Sequence, residues 1–203
     1  SYLDEMTKVT TVVMDKTGTV TKGVFKIKEI KAIDWKEPEF MKYLKAMEEQ
    51  STHPIAKAIM EYKSDGEDYE AINVTEVAGK GLKGTVNGKS VLVGNNALMA
   101  SNNIKISNET ENIVETTVLV SIEGKFAGYV TIADELKKDA HQAITQIRES
   151  GISKIIMLSG DKDSITQQIA KEMGIDWAKG GLLPEDKLNE VEKLMSDNIN
   201  KVA

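Results

Sequence analysis

The sequence predicts an α/β protein: a parallel-sheet domain, residues 1–22 and 133–203, interrupted by an inserted α+β antiparallel-sheet domain, residues 23–132. Three observations predict it. Short apolar runs at Thr11–Met14 and Ile155–Leu158 are bounded by polar residues, as buried strands are. From Asp134 onward helical and strand patterns alternate, which is the order that builds a parallel sheet. Between these parts, alternating segments are joined by turn pairs such as Asn87-Gly88 and Glu123-Gly124, which is hairpin chemistry.

Taken in order, Val24 to Ile33 alternates loosely, with Phe25, Ile27 and Ile30 among lysines, as a half-exposed strand does. Pro38 suits the first turn of a helix, and Phe40, Leu44 and Met47 keep helical spacing after it. A second helix is expected from Pro54, with Ile55, Ile59 and Tyr62 on one face. The polar, glycine-containing stretch 64–69 reads as a loop. Short strands follow at 72–77, 83–86 and 90–93, then at 118–122 and 126–132. In the last third, residues 136–150 read as a helix with Ala140, Ile144 and Ile147 inward, ended by Gly151. Residues 164–173 read as another, with Ile165 and Ile169 inside and Gly174 at its end. Pro184 introduces a final helix carrying Leu188, Val191 and Leu194, and Lys201-Val202-Ala203 reads as a strand beginning.

Composition narrows the classes. Of 203 residues, 40% are hydrophobic and 29% charged, the balance of a soluble globular protein. With no cysteine, disulfides and thiolate metal sites are excluded. The longest apolar runs are only a few residues, too short to span a membrane, and the first residues lack the basic and apolar regions of a signal peptide. A net charge of −6 and a pI near 5.1 argue against a nucleic-acid surface.

Asp15-Lys16-Thr17-Gly18-Thr19 is the most informative stretch. It follows the first buried run, so Asp15 sits where a strand of an open parallel sheet ends, which is where such sheets place ligands. A carboxylate there can attack a phosphoryl group and form an aspartyl-phosphate. Lys16 can balance charge, Thr17 and Thr19 offer hydroxyls, and Gly18 permits a tight backbone that aims amides at phosphate oxygens. The same residues are also ordinary β-turn composition. Ser159-Gly160-Asp161 follows the second buried run and so lies at the same sheet edge, although a helix-entry turn uses such residues too. In the inserted domain, Gly79, Gly81 and Gly84 allow close approach of backbone to a ligand, or stand alone as hairpin and bulge positions. His53 is followed by Pro54, which fixes the backbone at a helix start, whereas His141 reads as helix surface. Lys187, in a strongly charged helix start, reads unaided as a solvated side chain.

The pentapeptide resembles the phosphorylation signature of the P-type ATPases, a branch of the haloacid-dehalogenase-like phosphohydrolases. Further marks stand in the family's order: Ser51-Thr52-His53-Pro54 with Glu48 three residues before it, the glycine motif from Gly79 to Gly84, Ser159-Gly160-Asp161, and Pro184-Glu185-Asp186-Lys187. The His-Pro pair is similar to that of the heavy-metal-transporting branch. The resemblance implies a Rossmann-like haloacid-dehalogenase-type sheet domain carrying an inserted nucleotide-binding domain. It implies ATP and Mg²⁺ as cofactors, with Asp15 phosphorylated by ATP and Mg²⁺ held by the Asp15 carboxylate and the Thr17 carbonyl. Lys16, Ser159, Gly160 and Lys187 then serve the phosphoryl group, while Asp161 organises the loop or the nucleotide ribose. His53 stacks on adenine, Glu48 accepts from its amino group, and Gly79, Gly81 and Gly84 face the nucleotide. Implied partners are the transmembrane helices and actuator domain of an intact pump, with this chain as its soluble portion on the cytoplasmic face of the cell membrane and no transported ion bound to it. One family motif, Gly-Asp-Gly-x-Asn-Asp, does not occur in the 203 residues. The sheet domain is therefore expected to be truncated at its C-terminal end, and the isolated chain to be inactive. Val20 and Ser159 replace the usual leucine and threonine conservatively. A free-standing phosphatase, with the insertion as a substrate cap, is the alternative enzyme. Against it, Thr17 stands where such phosphatases place an acid–base aspartate. A nucleotide-binding module without catalysis is the other alternative. Lys22-Gly23 and the character of the insertion lean towards zinc or cadmium over copper as cargo.

Overall fold

The computed structural model describes residues 9–196. Its elements are β1 (Thr11–Asp15), β2 (Thr21–Ala32), α1 (Glu37–Glu48), α2 (Pro54–Met60), β3 (Ala71–Val77), β4 (Gly81–Val86), β5 (Lys89–Gly94) and α3 (Asn96–Ser101). They continue with β6 (Thr116–Ile122), β7 (Lys125–Leu136), α4 (Ala140–Glu149), β8 (Lys154–Leu158), α5 (Asp163–Met173), β9 (Trp177–Lys179) and α6 (Pro184–Ser196). The chain divides into two compact units, one formed by residues up to Gly23 and from Asp134, the other by Val24–Ala133.

The first unit is a parallel sheet in the order β1-β8-β9. β1 and β8 pair from Thr11↔Lys154 to Asp15↔Leu158, so the two apolar runs lie side by side. β8 is buried on both faces, which is why it reads as an unbroken apolar run. Ile155 and Met157 pack on one side with Ala140, Ile144, Ala170 and Met173 from α4 and α5. Ile156 and Leu158 point the other way, onto Leu182 and the Val191 and Leu194 side of α6. Opposite directions for successive side chains follow from the strand's period of two.

The second unit is built on an antiparallel sheet in the order β2-β7-β6-β5-β4-β3. Helix α1 lays Phe40, Leu44 and Met47 on one face, against Val91, Val93, Val118 and Val120. The opposite face carries Leu92, Leu119 and Tyr129 under Leu98 and Met99 of α3. Asn87 and Gly88 turn β4 into β5 with φ of 49° and 73°, the two left-handed residues that a tight hairpin requires.

Several elements differ from the sequence expectation. The helix expected from residue 136 begins at Ala140, because Leu136 still belongs to β7 and the Lys137 amide donates to the Val20 carbonyl at 3.0 Å. Helix α2 ends at Met60, so Tyr62 lies beyond it. In α5 the buried residues are Thr166, Ala170 and Met173, while Ile165 and Ile169 flank the contact. Ile169 still packs against the core cluster, half-buried. Helix α3, the short 3₁₀ turn Asn108–Asn112 and strand β9 were not expected. The strand expected at 201–203 lies outside the described residues.

Candidate functional site

Asp15 closes β1, and the register Asp15↔Leu158 sets the following residue pairs, Lys16 and Ser159, at one sheet edge. After Asp15 the chain makes a type II turn: Thr17 has φ −73°, ψ 125° and Gly18 has φ 78°, ψ −11°. That geometry demands glycine at the second position, and a Cβ at Gly18 would meet nothing within 4 Å, so the demand comes from φ and leaves the turn open. The turn is closed by the Thr21 amide donating to the Lys16 carbonyl.

The charges around it are arranged in two groups. Asp15 is 46% exposed, and its Oδ1 accepts the Lys16 amide at 2.8 Å and the Lys187 ammonium at 3.0 Å. Lys187, read as solvated on its own, is thus brought onto Asp15 by the first turn of α6. Lys16 is only 1% exposed, and its ammonium lies 2.6 Å from Asp161 and 3.7 Å from Asp134. What it gives Asp15 is a backbone N–H, and its charge is spent on the other two carboxylates. Asp134 is itself 3% exposed. Its Oδ2 accepts the Thr21 hydroxyl at 2.5 Å, and its Oδ1 has no hydrogen-bond partner among the described residues. Asp134 and Thr21 were missed as site residues. The available signal was a carboxylate ending an apolar strand just where the α/β pattern resumes. Ser159 is buried, and its hydroxyl accepts the Asp161 amide at 3.1 Å, so it braces the loop on which Gly160 is exposed.

A second constellation lies wholly in the other unit, around a cavity of about 700 Å³. Glu48, the last residue of α1, lines it and is 8% exposed, and burial pushes its carboxyl above the ordinary range against a smaller lowering by a Ser51 hydrogen bond. His53 lines it as the N-cap of α2, where Nδ1 accepts the Ile55 amide at 3.2 Å and Pro54 fixes the first turn. That bond leaves Nε2 as the nitrogen that can address a ligand. Gly79 and Gly81 line the cavity too. A Cβ on Gly81 would fall 2.1 Å from the Val93 carbonyl oxygen, and one on Gly94 2.1 Å from the Lys80 carbonyl oxygen, so these two glycines let the ends of β4 and β5 cross backbone to backbone. Asn95 locks the crossing: its amide donates to the Lys80 carbonyl and its Nδ2 to the Gly79 carbonyl, both at 2.9 Å. Gly94 and Asn95 were missed, although Gly-Asn after a strand is a turn signal. Gly84 does not line this cavity. A Cβ there would sit 2.9 Å from Met47 Sδ and 3.2 Å from Val74, so it is a packing glycine that lets α1 lie close to β4.

Among the described residues no helix is long and apolar enough to cross a membrane.

Asp15 thus ends a strand of a parallel-sheet unit with the Lys187 ammonium on its carboxylate, and residues 9–202 match the haloacid dehalogenase-like hydrolases. The chain belongs to that family. More narrowly, it matches the catalytic portion of heavy-metal P-type ATPases. It is 39% identical over 197 residues to a zinc-transporting ATPase of Synechocystis sp., covering 96% of this chain and 27% of that protein. It is 34% identical to a cadmium, zinc and cobalt-transporting ATPase of Bacillus subtilis, covering 96% and 28%. Among solved structures, a zinc-transporting PIB-type ATPase in the E2.Pi state superposes with a TM-score of 0.75 at 31% identity, over 98% of this chain and 33% of that one. The catalytic domain of the CPx-ATPase CopB-B also gives 0.75, at 28% identity, over 99% and 72%. The chain thus spans between a quarter and a third of the length of these curated relatives.

Proposed function

We propose that this chain is the ATP-binding and phosphorylation portion of a heavy-metal-translocating P-type ATPase. Asp15 Oδ2 attacks the γ-phosphorus of ATP, the bond from that phosphorus to the β–γ bridging oxygen breaks, ADP leaves, and an aspartyl-phosphate remains. The observation that carries this is the state of the Asp15 carboxylate. Oδ1 is fixed by Lys16 N–H and Lys187, while Oδ2 has no partner among the described residues and belongs to a side chain that is 46% exposed. Lys187 holds the nucleophile and presents its charge beside the incoming phosphoryl group. Lys16 keeps Asp161 in place, and Ser159 and Gly160 form the loop beside the acceptor. Thr17 carries no acid–base group, so the acyl phosphate has no built-in route to rapid hydrolysis, which suits a pump better than a phosphatase.

The donor set fits Mg²⁺: the Asp15 carboxylate and the carbonyl of exposed Thr17 are hard oxygens, and Mg²⁺ keeps waters and completes its shell on substrate phosphates. When bound, it neutralises charge on the transferring phosphoryl group. Carboxylates of a Gly-Asp-Gly-x-Asn-Asp segment, absent from these 203 residues, complete that site in the intact pump. Glu48, His53, Gly79 and Gly81 hold the adenine nucleotide in the second unit. The partners are ATP and the membrane helices and actuator domain of the whole pump, the location is the cytoplasmic face of the membrane, and the cargo is a heavy-metal cation, zinc or cadmium before copper.

Incubation with γ-labelled ATP and Mg²⁺, acid quench and hydroxylamine treatment tests this, because hydroxylamine releases acyl phosphates. The 203-residue chain labels little, a chain continued through the Gly-Asp segment labels strongly, and Asp15→Asn abolishes the label. Hydroxylamine-sensitive label that survives Asp15→Asn overturns the assignment.

A further inference from the structure

The middle residue of the glycine loop, Lys80, has no role in the reading above. It lines the cavity, is half-buried, and makes no ion pair or side-chain hydrogen bond among the described residues. Its backbone is already committed: the amide donates to the Val77 carbonyl at 2.9 Å and the carbonyl accepts the Asn95 amide at 2.9 Å. Whatever Lys80 offers a ligand therefore comes from its side chain alone.

The charges around the cavity say what that ligand must be. Glu48 and Glu76 line it as acids, and Lys80 is the one lysine or arginine among the lining residues described. Met47, Val93 and Val118 form a buried apolar floor, with Glu48 beside them. A purine gains most by covering that floor. The phosphate chain of a nucleotide is strongly hydrated and cannot follow the base inward, because stripping water from it there would cost more than the floor returns. It stays at the wet side of the cavity, where exposed Gly79 leaves room, a Cβ there meeting nothing within 4 Å. On that side Glu76 repels it, and Lys80 alone among the lining residues attracts it as a permanent cation.

We propose that Lys80 is the polyphosphate contact of this cavity, so that the cavity selects adenosine di- and triphosphate over adenosine. The proposal rests on the nucleotide reading of the cavity and adds the residue that reads the phosphates. The base is held by the floor, Glu48 and His53, and the charge is read by one ammonium on a loop that Gly81, Gly94 and Asn95 hold rigid.

Calorimetric titration of the 203-residue chain with adenosine, ADP and ATP, without divalent cation, tests it. Lys80→Met keeps the stem of the side chain and removes the charge. It weakens ATP about five- to tenfold, as loss of one charge-assisted phosphate contact does, and leaves adenosine unchanged. Lys80→Arg restores the ATP affinity. Raising salt from about 50 to about 300 mM narrows the difference between wild type and Lys80→Met. An equal loss of adenosine and ATP affinity, at an unchanged melting temperature, would make Lys80 a loop-shaping residue and overturn the proposal. So would an unchanged ATP affinity. If the wild-type chain binds adenosine and ATP equally, the phosphate contact falls and the base site stands; if it binds neither, the nucleotide reading falls with it.

Discussion

Replacing Lys16 by methionine isolates the charge on which the loop after Asp15 is built. Methionine keeps the volume and most of the stem, and removes the ammonium that lies 2.6 Å from Asp161 and 3.7 Å from Asp134. The two carboxylates respond differently. Asp161, with 35% of its side chain exposed, turns to water and loses little. Asp134, at 3%, has nowhere to turn, and one of its oxygens already lacks a partner. At 3.7 Å and an effective dielectric of about 20, the lost attraction is roughly 4 kcal/mol. That agrees with the ~3–5 kcal/mol that breaking a buried pair from one side costs. For a unit of about 90 residues it lowers the melting temperature by about 12–40 °C.

The two tryptophans make the assay specific, because Trp177 lies in the first unit and Trp35 in the second. In a Trp35→Phe background, fluorescence reports unfolding around β9 alone. Lys16→Met moves that transition down, and Lys16→Met combined with Asp134→Asn recovers most of the loss, since removing both members of a buried pair is close to neutral. A Trp177 transition within about 1 kcal/mol of the parent in Lys16→Met would show that Asp134 is not charged against Lys16. A double variant no better than the single would refute the pairing just as directly.

Glu48→Gln stabilises the second unit at neutral pH. Burial raises the folded carboxyl above its ordinary 4.5, so its favourable contribution is complete below that value and is lost as pH rises through the folded one; the melting temperature gained by glutamine should grow from near zero at about pH 4 towards pH 8, and the opposite trend counts against a raised carboxyl. His53→Ala removes the α2 cap and the ring, weakening ATP and adenosine alike several-fold, on the order of 1 kcal/mol, and identical calorimetric affinities would take His53 out of the site. Residues 24–133, which hold their own core, fold alone with a cooperative thermal transition, and a non-cooperative melt of that fragment would show that the boundary is misplaced.

How much of this could be read from the amino acids depends on how far each feature reaches along the chain. The strands at Val12–Met14 and Ile155–Leu158 were readable because a strand buried on both faces must be apolar at every position, and once they are parallel neighbours, Asp15 and Ser159 must share an edge. The β4–β5 hairpin was readable because Asn87-Gly88 is a local instruction. Strand β9 was not, because three residues of Trp-Ala-Lys show no period; they are a strand only because β8 offers Ile156, Met157 and Leu158 as partners. The inward face of α5 was only partly read: Ile169 packs against the core half-buried, while the fully buried positions are Thr166, Ala170 and Met173. Gly79 and Gly81 stand out by eye, but the reason for Gly81 is Val93 and Gly94 across the sheet, and Gly84 answers to Met47 instead of the cavity. Lys16 is the sharpest case. Beside Asp15 it reads as a charge that balances that carboxylate, yet it is 1% exposed and its ammonium lies on Asp134 and Asp161, more than a hundred residues further on. Local pattern thus singles out Asp15, and only the family resemblance singles out Lys187, while long-range pairing decides whose charge each one feels. A lysine written next to a strand-end aspartate is therefore no evidence that the two form an ion pair. Here the lysine that does so lies on α6, at the far end of the described chain.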